Sequence, residues 1–146
     1  MHVAGRLPLV LGLSTFVCGV VVGGFARPAP AVAAAPQRVF ELRTYTTHEG
    51  KLDDLHRRFR DHTVHLFEKH GMTNVGYWTP REGPASGHTL IYVLAHPDRE
   101  SARRSWEAFR SDPDWNRART ESEASGPIVV KIDSVFLDAT DYSPMH

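Results

Sequence analysis

Two groups of residues in this sequence have types and spacing that bear on chemistry. In "VFELRTYTT", Glu41, Arg43 and Tyr45 stand two apart, so an extended strand places an acid, a guanidinium and a phenol on one face. Further on, His62 and His65 are three apart, and on a helix such a pair converges on one side. His56 is a third, poorly spaced member of that group. An inward-facing His62 suits a proton carrier near neutral pH, with Arg43 and Tyr45 orienting a substrate oxygen. A zinc site asks for more ligands than this pair, and no tight Cys/His cluster exists, so no metal is expected. The competing reading of His62 is a core histidine with a hydrogen-bond partner.

A second set is aromatic. Tyr77, Trp78, Tyr92, Trp106 and Phe109, with Trp115 beside them, are large rings of the kind that line a pocket for an apolar molecule with a polar end. Most of them serve equally well as core. Lys131 and Asp133 alternate near the C-terminus and complement Glu41 and Arg43 if the first and last strands are neighbours. An ion-pair network that helps fix the geometry of a dimer is the preferred reading of the charges, because a buried charge without a partner costs several kcal/mol; its alternative is an Arg43 that binds an anion. Nothing points to nucleophilic catalysis, a phosphate loop or dinucleotide binding: the G-x-S-x-G, P-loop and G-x-G-x-x-G patterns are all missing.

The elements that must position these groups follow from periodicity. Val39–Tyr45 alternates as a strand; Thr46 and Glu49 match a capping box; and Leu52, Leu55, Phe59, His62 and Leu66 form the apolar stripe of a helix running to His70, stopped by Gly71. Strands are expected at residues 73–79 and 89–95, joined by "PREGPASGH". The near-continuous apolarity of "TLIYVLA" suggests a strand buried on both faces. A second helix starts at Pro97-Asp98 and carries Ala102, Trp106 and Phe109 inward. Asp112 caps a further short helix with Pro113 at its first position, and residues 128–137 form the last strand.

The resulting order, strand–helix–strand–strand–helix–strand, is α+β: the ferredoxin-like split βαβ arrangement, with four antiparallel strands carrying helices on one face. Val39, Tyr45, Ile91, Val93 and Val129 cannot all share the helix side with Phe40, Leu42, Leu90, Tyr92 and Leu94. A sheet apolar on both faces needs a second cover, and the simplest cover is another copy of the chain.

The first part of the chain has another character. Arg6 is followed by an apolar run over residues 7–26 and then by the Ala/Pro-rich "RPAPAVAAAPQ", the layout of an export signal. Cleavage is expected after Ala33, which makes residues 1–33 a signal peptide, 34–37 a linker, 38–143 the domain and 144–146 a tail. The protein is then periplasmic or extracellular; left uncleaved, the same run would be a membrane anchor. Cys18, the sole cysteine, leaves with the leader, so disulfides contribute nothing. Without the leader's two arginines, 15 basic residues face 17 acidic ones, a balance that argues against nucleic-acid binding.

The segments "ELRTYTTHEGKL", "LFEKHG", "VGYW" and "WEAFRSDPDW", in that order, resemble the NIPSNAP family of the dimeric α/β-barrel superfamily. The resemblance spans the whole expected domain. It implies a ferredoxin-like fold and a homodimer, but no agreed reaction. Related barrel families include monooxygenases, haem-binding proteins and isomerases whose ligands lie between sheet and helices. The expectation is therefore a homodimeric domain binding a small apolar ligand or a partner protein. Its alternative is a cofactor-independent monooxygenase or isomerase that uses His62, Arg43 and Tyr45. No cofactor is expected, and haem is the alternative that a Soret band would reveal.

Overall fold

The computed structural model describes Met1, Gly5 and residues 38–145. The expected export signal and linker lie almost wholly outside these residues. The chain divides into Met1–Val32 and Ala33–His146, and every element below belongs to the second unit. Among the described residues no helix is long and apolar enough to cross a membrane.

Strand β1 spans Val39–Thr47 and is followed by α1 (Leu52–Arg58), a π-helical turn (Phe59–Thr63) and α2 (Val64–Lys69). Strands β2 (Thr73–Trp78) and β3 (Thr89–His96) follow, then α3 (Arg99–Ser111), α4 (Pro113–Ser122) and β4 (Val129–Asp138). The four strands pair antiparallel in the order β2-β3-β1-β4, the ferredoxin-like arrangement.

Local chemistry explains most of the boundaries. Asp98 accepts the Ser101 amide at the start of α3, and Asp112 accepts the Asp114 amide at the start of α4, with Pro113 in the first turn as expected. Gly71, at φ 76°, closes α2 in the left-handed conformation that a side chain would resist. The expected capping box is not formed. Thr46 and Thr47 continue the β1 ladder, the second across a bulge opposite β4, and Lys51 precedes α1 without a side-chain cap. Pairing with strands on both sides outweighs the local preference of two threonines for a helix start.

The helices cover one face of the sheet, and the core lies between. Tyr92 sits at its centre with no exposed surface, and its ring meets those of Tyr45, Phe59, Phe67 and Tyr77 at centroid distances of 5.3–5.9 Å. Because Tyr45 pairs with Leu90, Arg43 with Tyr92 and Glu41 with Leu94, all six side chains point to the helix side. Phe40, Leu42, Ile91 and Val93 therefore turn to the opposite face, with Val135 and Leu137 of β4 beside them. This corrects the division expected from sequence, in which Tyr45 stood with Ile91 and Val93. It also moves Glu41 and Arg43 away from the face on which a second chain would pack.

Candidate functional site

The site is built outward from Glu41, which is 1% exposed. Its carboxylate accepts hydrogen bonds from Arg43 Nη1 at 2.6 Å, Ser134 Oγ at 2.6 Å, Trp106 Nε1 at 2.6 Å and His96 Nε2 at 3.1 Å. The donors come from β1, β4, α3 and β3, so one acid ties three strands to a helix. Burial by itself raises the carboxyl pKa. The bonds from His96, Ser134 and Trp106, with the charge of Arg43, outweigh it and bring the pKa down to about 2.

Arg43 occupies the next position on that face. Its guanidinium lies 4.1 Å from the centroid of the Trp106 ring and 5.6 Å from that of Tyr45. Burial disfavours its charge, but Tyr92, Tyr45 and Glu41 around it more than offset this and hold its pKa above the ordinary value. Its Nε is buried and has no hydrogen-bond partner among the described residues. The Tyr92 hydroxyl is also buried and meets no partner of good geometry among them, although it lies near enough to Tyr45 to be coupled to it. Burial drives the Tyr92 pKa well upward, so this phenol is a proton holder and not a base.

Arg43 opens onto a cleft of about 450 Å³ between the sheet and the helices α1, α3 and α4. Tyr45, Trp106, Phe109 and Trp115 supply rings, and Val129, Val130 and Ile132 of β4 supply an aliphatic wall. Arg43, Arg58, Arg110, Arg119 and Lys131 line it against one carboxylate, Glu123. Arg58, 4% exposed, donates to Glu123 at 2.9 Å, and its guanidinium lies 5.4 Å from the Trp115 ring centroid. Its Nε, like that of Arg43, has no partner among the described residues. The cleft is thus apolar in its walls and cationic in its polar groups, which suits holding an anion more than moving a proton. No group of three or more His, Cys, Asp or Glu among the described residues is placed to hold a metal ion.

A NIPSNAP family model matches residues 40–144. The chain belongs to the NIPSNAP family. Among solved structures, a NIPSNAP-like domain protein from Burkholderia xenovorans is 16% identical, covering 75% of this chain and 90% of its own, with a TM-score of 0.66. A NIPSNAP family protein of unknown function from Agrobacterium tumefaciens is 16% identical over 77% of this chain and 97% of its own, with a TM-score of 0.67. SnoaB, a cofactor-independent oxygenase from Streptomyces nogalater, is 16% identical over 74% and 98%, with a TM-score of 0.50. At these identities the likeness is one of fold. No curated protein sequence gives a significant match.

In this NIPSNAP domain the residues singled out by sequence are dispersed. Arg43 and Tyr45 share the cleft with Trp106 and Phe109. Tyr77 and Trp78 line a separate hollow of about 300 Å³ with His56, Phe59 and Arg60, while Tyr92 is enclosed in the core, so the five rings do not form one pocket. His62 is exposed and faces α4 near His65 and Glu121, outside the cleft of Arg43 and Tyr45. The cause is the π turn: one extra residue per turn advances the inward stripe, and Thr63, 1% exposed, takes the place that a continuous α-helix gives to His62. Thr63 Oγ1 bonds back to the Arg58 carbonyl, five residues earlier.

The cross-strand ion pairs are not formed either. Glu41 stands opposite Phe136 and Arg43 opposite Ser134, while Lys131 pairs with Asp133 on its own strand at 2.8 Å. Register decides this, and sequence does not supply register. Two participants escaped notice. His96 extends the inward series Leu90, Tyr92, Leu94 by one more alternation. Arg58 sits three residues after Leu55 and beside Phe59, a cation on an apolar stripe.

The depressed pKa of Glu41 gives a pH dependence with a definite sign. A carboxylate whose folded pKa lies near 2, against an ordinary value of 4.5, stabilises the fold fully above pH 4.5. That contribution is lost as pH falls from 4.5 towards 2, and amounts to about 3 kcal/mol. Urea unfolding at pH 6, 4 and 3 is expected to show a steeper loss for wild type than for Glu41→Gln. Parallel losses would count against a native carboxylate.

Proposed function

We propose that this NIPSNAP domain is a homodimeric small-molecule-binding protein, each protomer holding one ligand with a flat apolar body in the cleft between β4, α3 and α4. The observation that carries the reading is the cleft itself: about 450 Å³, walled by four aromatic rings, with Arg43 and Arg58 fixed in its lining. Ligand sites typically measure about 300–1,000 Å³ and combine such walls with a few fixed polar groups. A concave site of this size favours a small molecule over a partner protein as occupant. The dimer is supported by the sheet face turned from the helices, where Trp78 is 53%, Val135 51% and Leu137 41% exposed.

Calorimetry with two bicyclic probes, 1-naphthoate and its neutral counterpart 1-naphthamide, tests the reading. At least one is expected to bind with a stoichiometry of one per protomer, and Val130→Trp, at the cleft wall, is expected to block it. If neither probe binds wild type, the cleft is not a ligand site.

A small-molecule enzyme is the second reading, favoured by the fold likeness to SnoaB. With His62 outside the cleft, such chemistry would rest on Arg43 and Tyr45. Haem fits less well, since the lining contains no histidine.

A further inference from the structure

The cleft contains one arrangement twice. On one wall Glu41 holds Arg43 at 2.6 Å, and the guanidinium lies 4.1 Å from the centroid of the Trp106 ring. On another, Glu123 holds Arg58 at 2.9 Å, and the guanidinium lies 5.4 Å from the Trp115 ring centroid. The four charged residues come from β1, α1 and the segment after α4, so the repetition is not a by-product of one element's periodicity.

Each guanidinium is fixed on one side by its own carboxylate and leaves Nε buried without a partner among the described residues. Unpartnered buried donors are uncommon in native proteins, because each forgoes a hydrogen bond it would make in water. Both arginines line the same cavity, so two guanidinium groups stand there with donors beyond those their own carboxylates engage. An arginine immobilised by a carboxylate and a ring loses little side-chain freedom on binding, and its planar fork matches the two oxygens of a carboxylate. The rings beside these groups give the body of the ligand a flat surface to stack on.

From this geometry we infer that the ligand of the cleft is an organic acid with a flat, aromatic body, its carboxylate taken by Arg43 and Arg58 acting as a preformed pair of anion holders. The inference rests on the cleft being the binding site and adds the charge and shape of what it takes. The ligand's oxygens accept from the guanidinium donors that face the cleft, and the ring system lies against Trp106 and Trp115. An uncharged amide of the same shape presents one weaker acceptor, and its N–H groups gain nothing from the two guanidinium groups.

The same two probes distinguish this inference from the reading beneath it. Wild-type protein is expected to bind 1-naphthoate about ten- to a hundred-fold more tightly than 1-naphthamide, the span of a charge-assisted hydrogen bond in a partly desolvated site. Equal affinities would leave the cleft a binding site and overturn its preference for acids; binding of neither probe would remove both. Arg43→Lys and Arg58→Lys keep a cation beside Glu41 and Glu123 but remove the planar fork. In each, the ratio of 1-naphthoate to 1-naphthamide affinity is expected to fall at least three-fold in protein that circular dichroism shows to be folded. A preference that survives intact in both variants would assign the anion to other groups and overturn the role of this pair.

Discussion

Glu41→Ala is expected to lower the melting temperature of the domain sharply. The substitution removes four accepted hydrogen bonds at once and strands Arg43, whose side chain is 14% exposed, without its counterion. Removing one partner of a buried ion pair costs about 3–5 kcal/mol, because the remaining charge stays desolvated. Domains of this size have about 5–15 kcal/mol in total, and 1 kcal/mol corresponds to roughly 4–8 °C, so the expected drop in melting temperature is at least about 12 °C. Glu41→Gln should fall between this variant and wild type, since the amide oxygen still accepts from Trp106 or Ser134. Combining Glu41→Gln with Arg43→Gln should recover part of the loss, because two neutral amides can bond to each other. Circular dichroism during heating reads all three. A Glu41→Ala protein melting within a few degrees of wild type would show that the network adds nothing to stability.

The fold was legible because each element carries its own period. Alternation marks β1, a near-continuous apolar run marks β3, Asp112-Pro113 announces α4, and the order of elements then leaves one common arrangement. The site was legible only in part. Arg43, Tyr45, Trp106 and Phe109 reach one cleft because strand alternation and helical spacing each hold over short distances. What failed depended on information that no window of sequence contains. The partner of Glu41 is set by strand register and by α3 crossing above it, so the nearest complementary charges, Lys131 and Asp133, were the wrong ones. His62 was misplaced by one residue, the size of the insertion that a π turn makes. Nothing in "RRFRDHTV" distinguishes that turn from α-helix except that a continuous helix would bury a histidine where the structure buries Thr63.

Replacing Val135 and Leu137 together by glutamate is expected to convert the proposed dimer into a monomer while leaving the protomer folded. Both residues sit on the sheet face turned from the helices, opposite Leu42 and Phe40, and each is at least two-fifths exposed in the single chain. In an isolated protomer a charge there keeps much of its hydration, so the direct cost to folding is small; exposed substitutions usually stay within about 0.5 kcal/mol. In a dimer packed sheet to sheet, the same two positions would bury four carboxylates without cations. The nearest lysine on that strand face, Lys131, already pairs with Asp133 and lies towards the other end of β4. Each buried, unpaired charge costs several kcal/mol, enough to weaken association well over a thousand-fold. Sedimentation at micromolar concentration should therefore give twice the domain mass for wild type and the single mass for the variant, with closely similar circular dichroism. The two sides of the sheet then separate cleanly: charges on the helix side at Glu41 and Arg43 hold the protomer together, and charges introduced on the far side keep protomers apart. A monomeric wild type, or a variant that remains dimeric, would mean that this apolar face has another purpose.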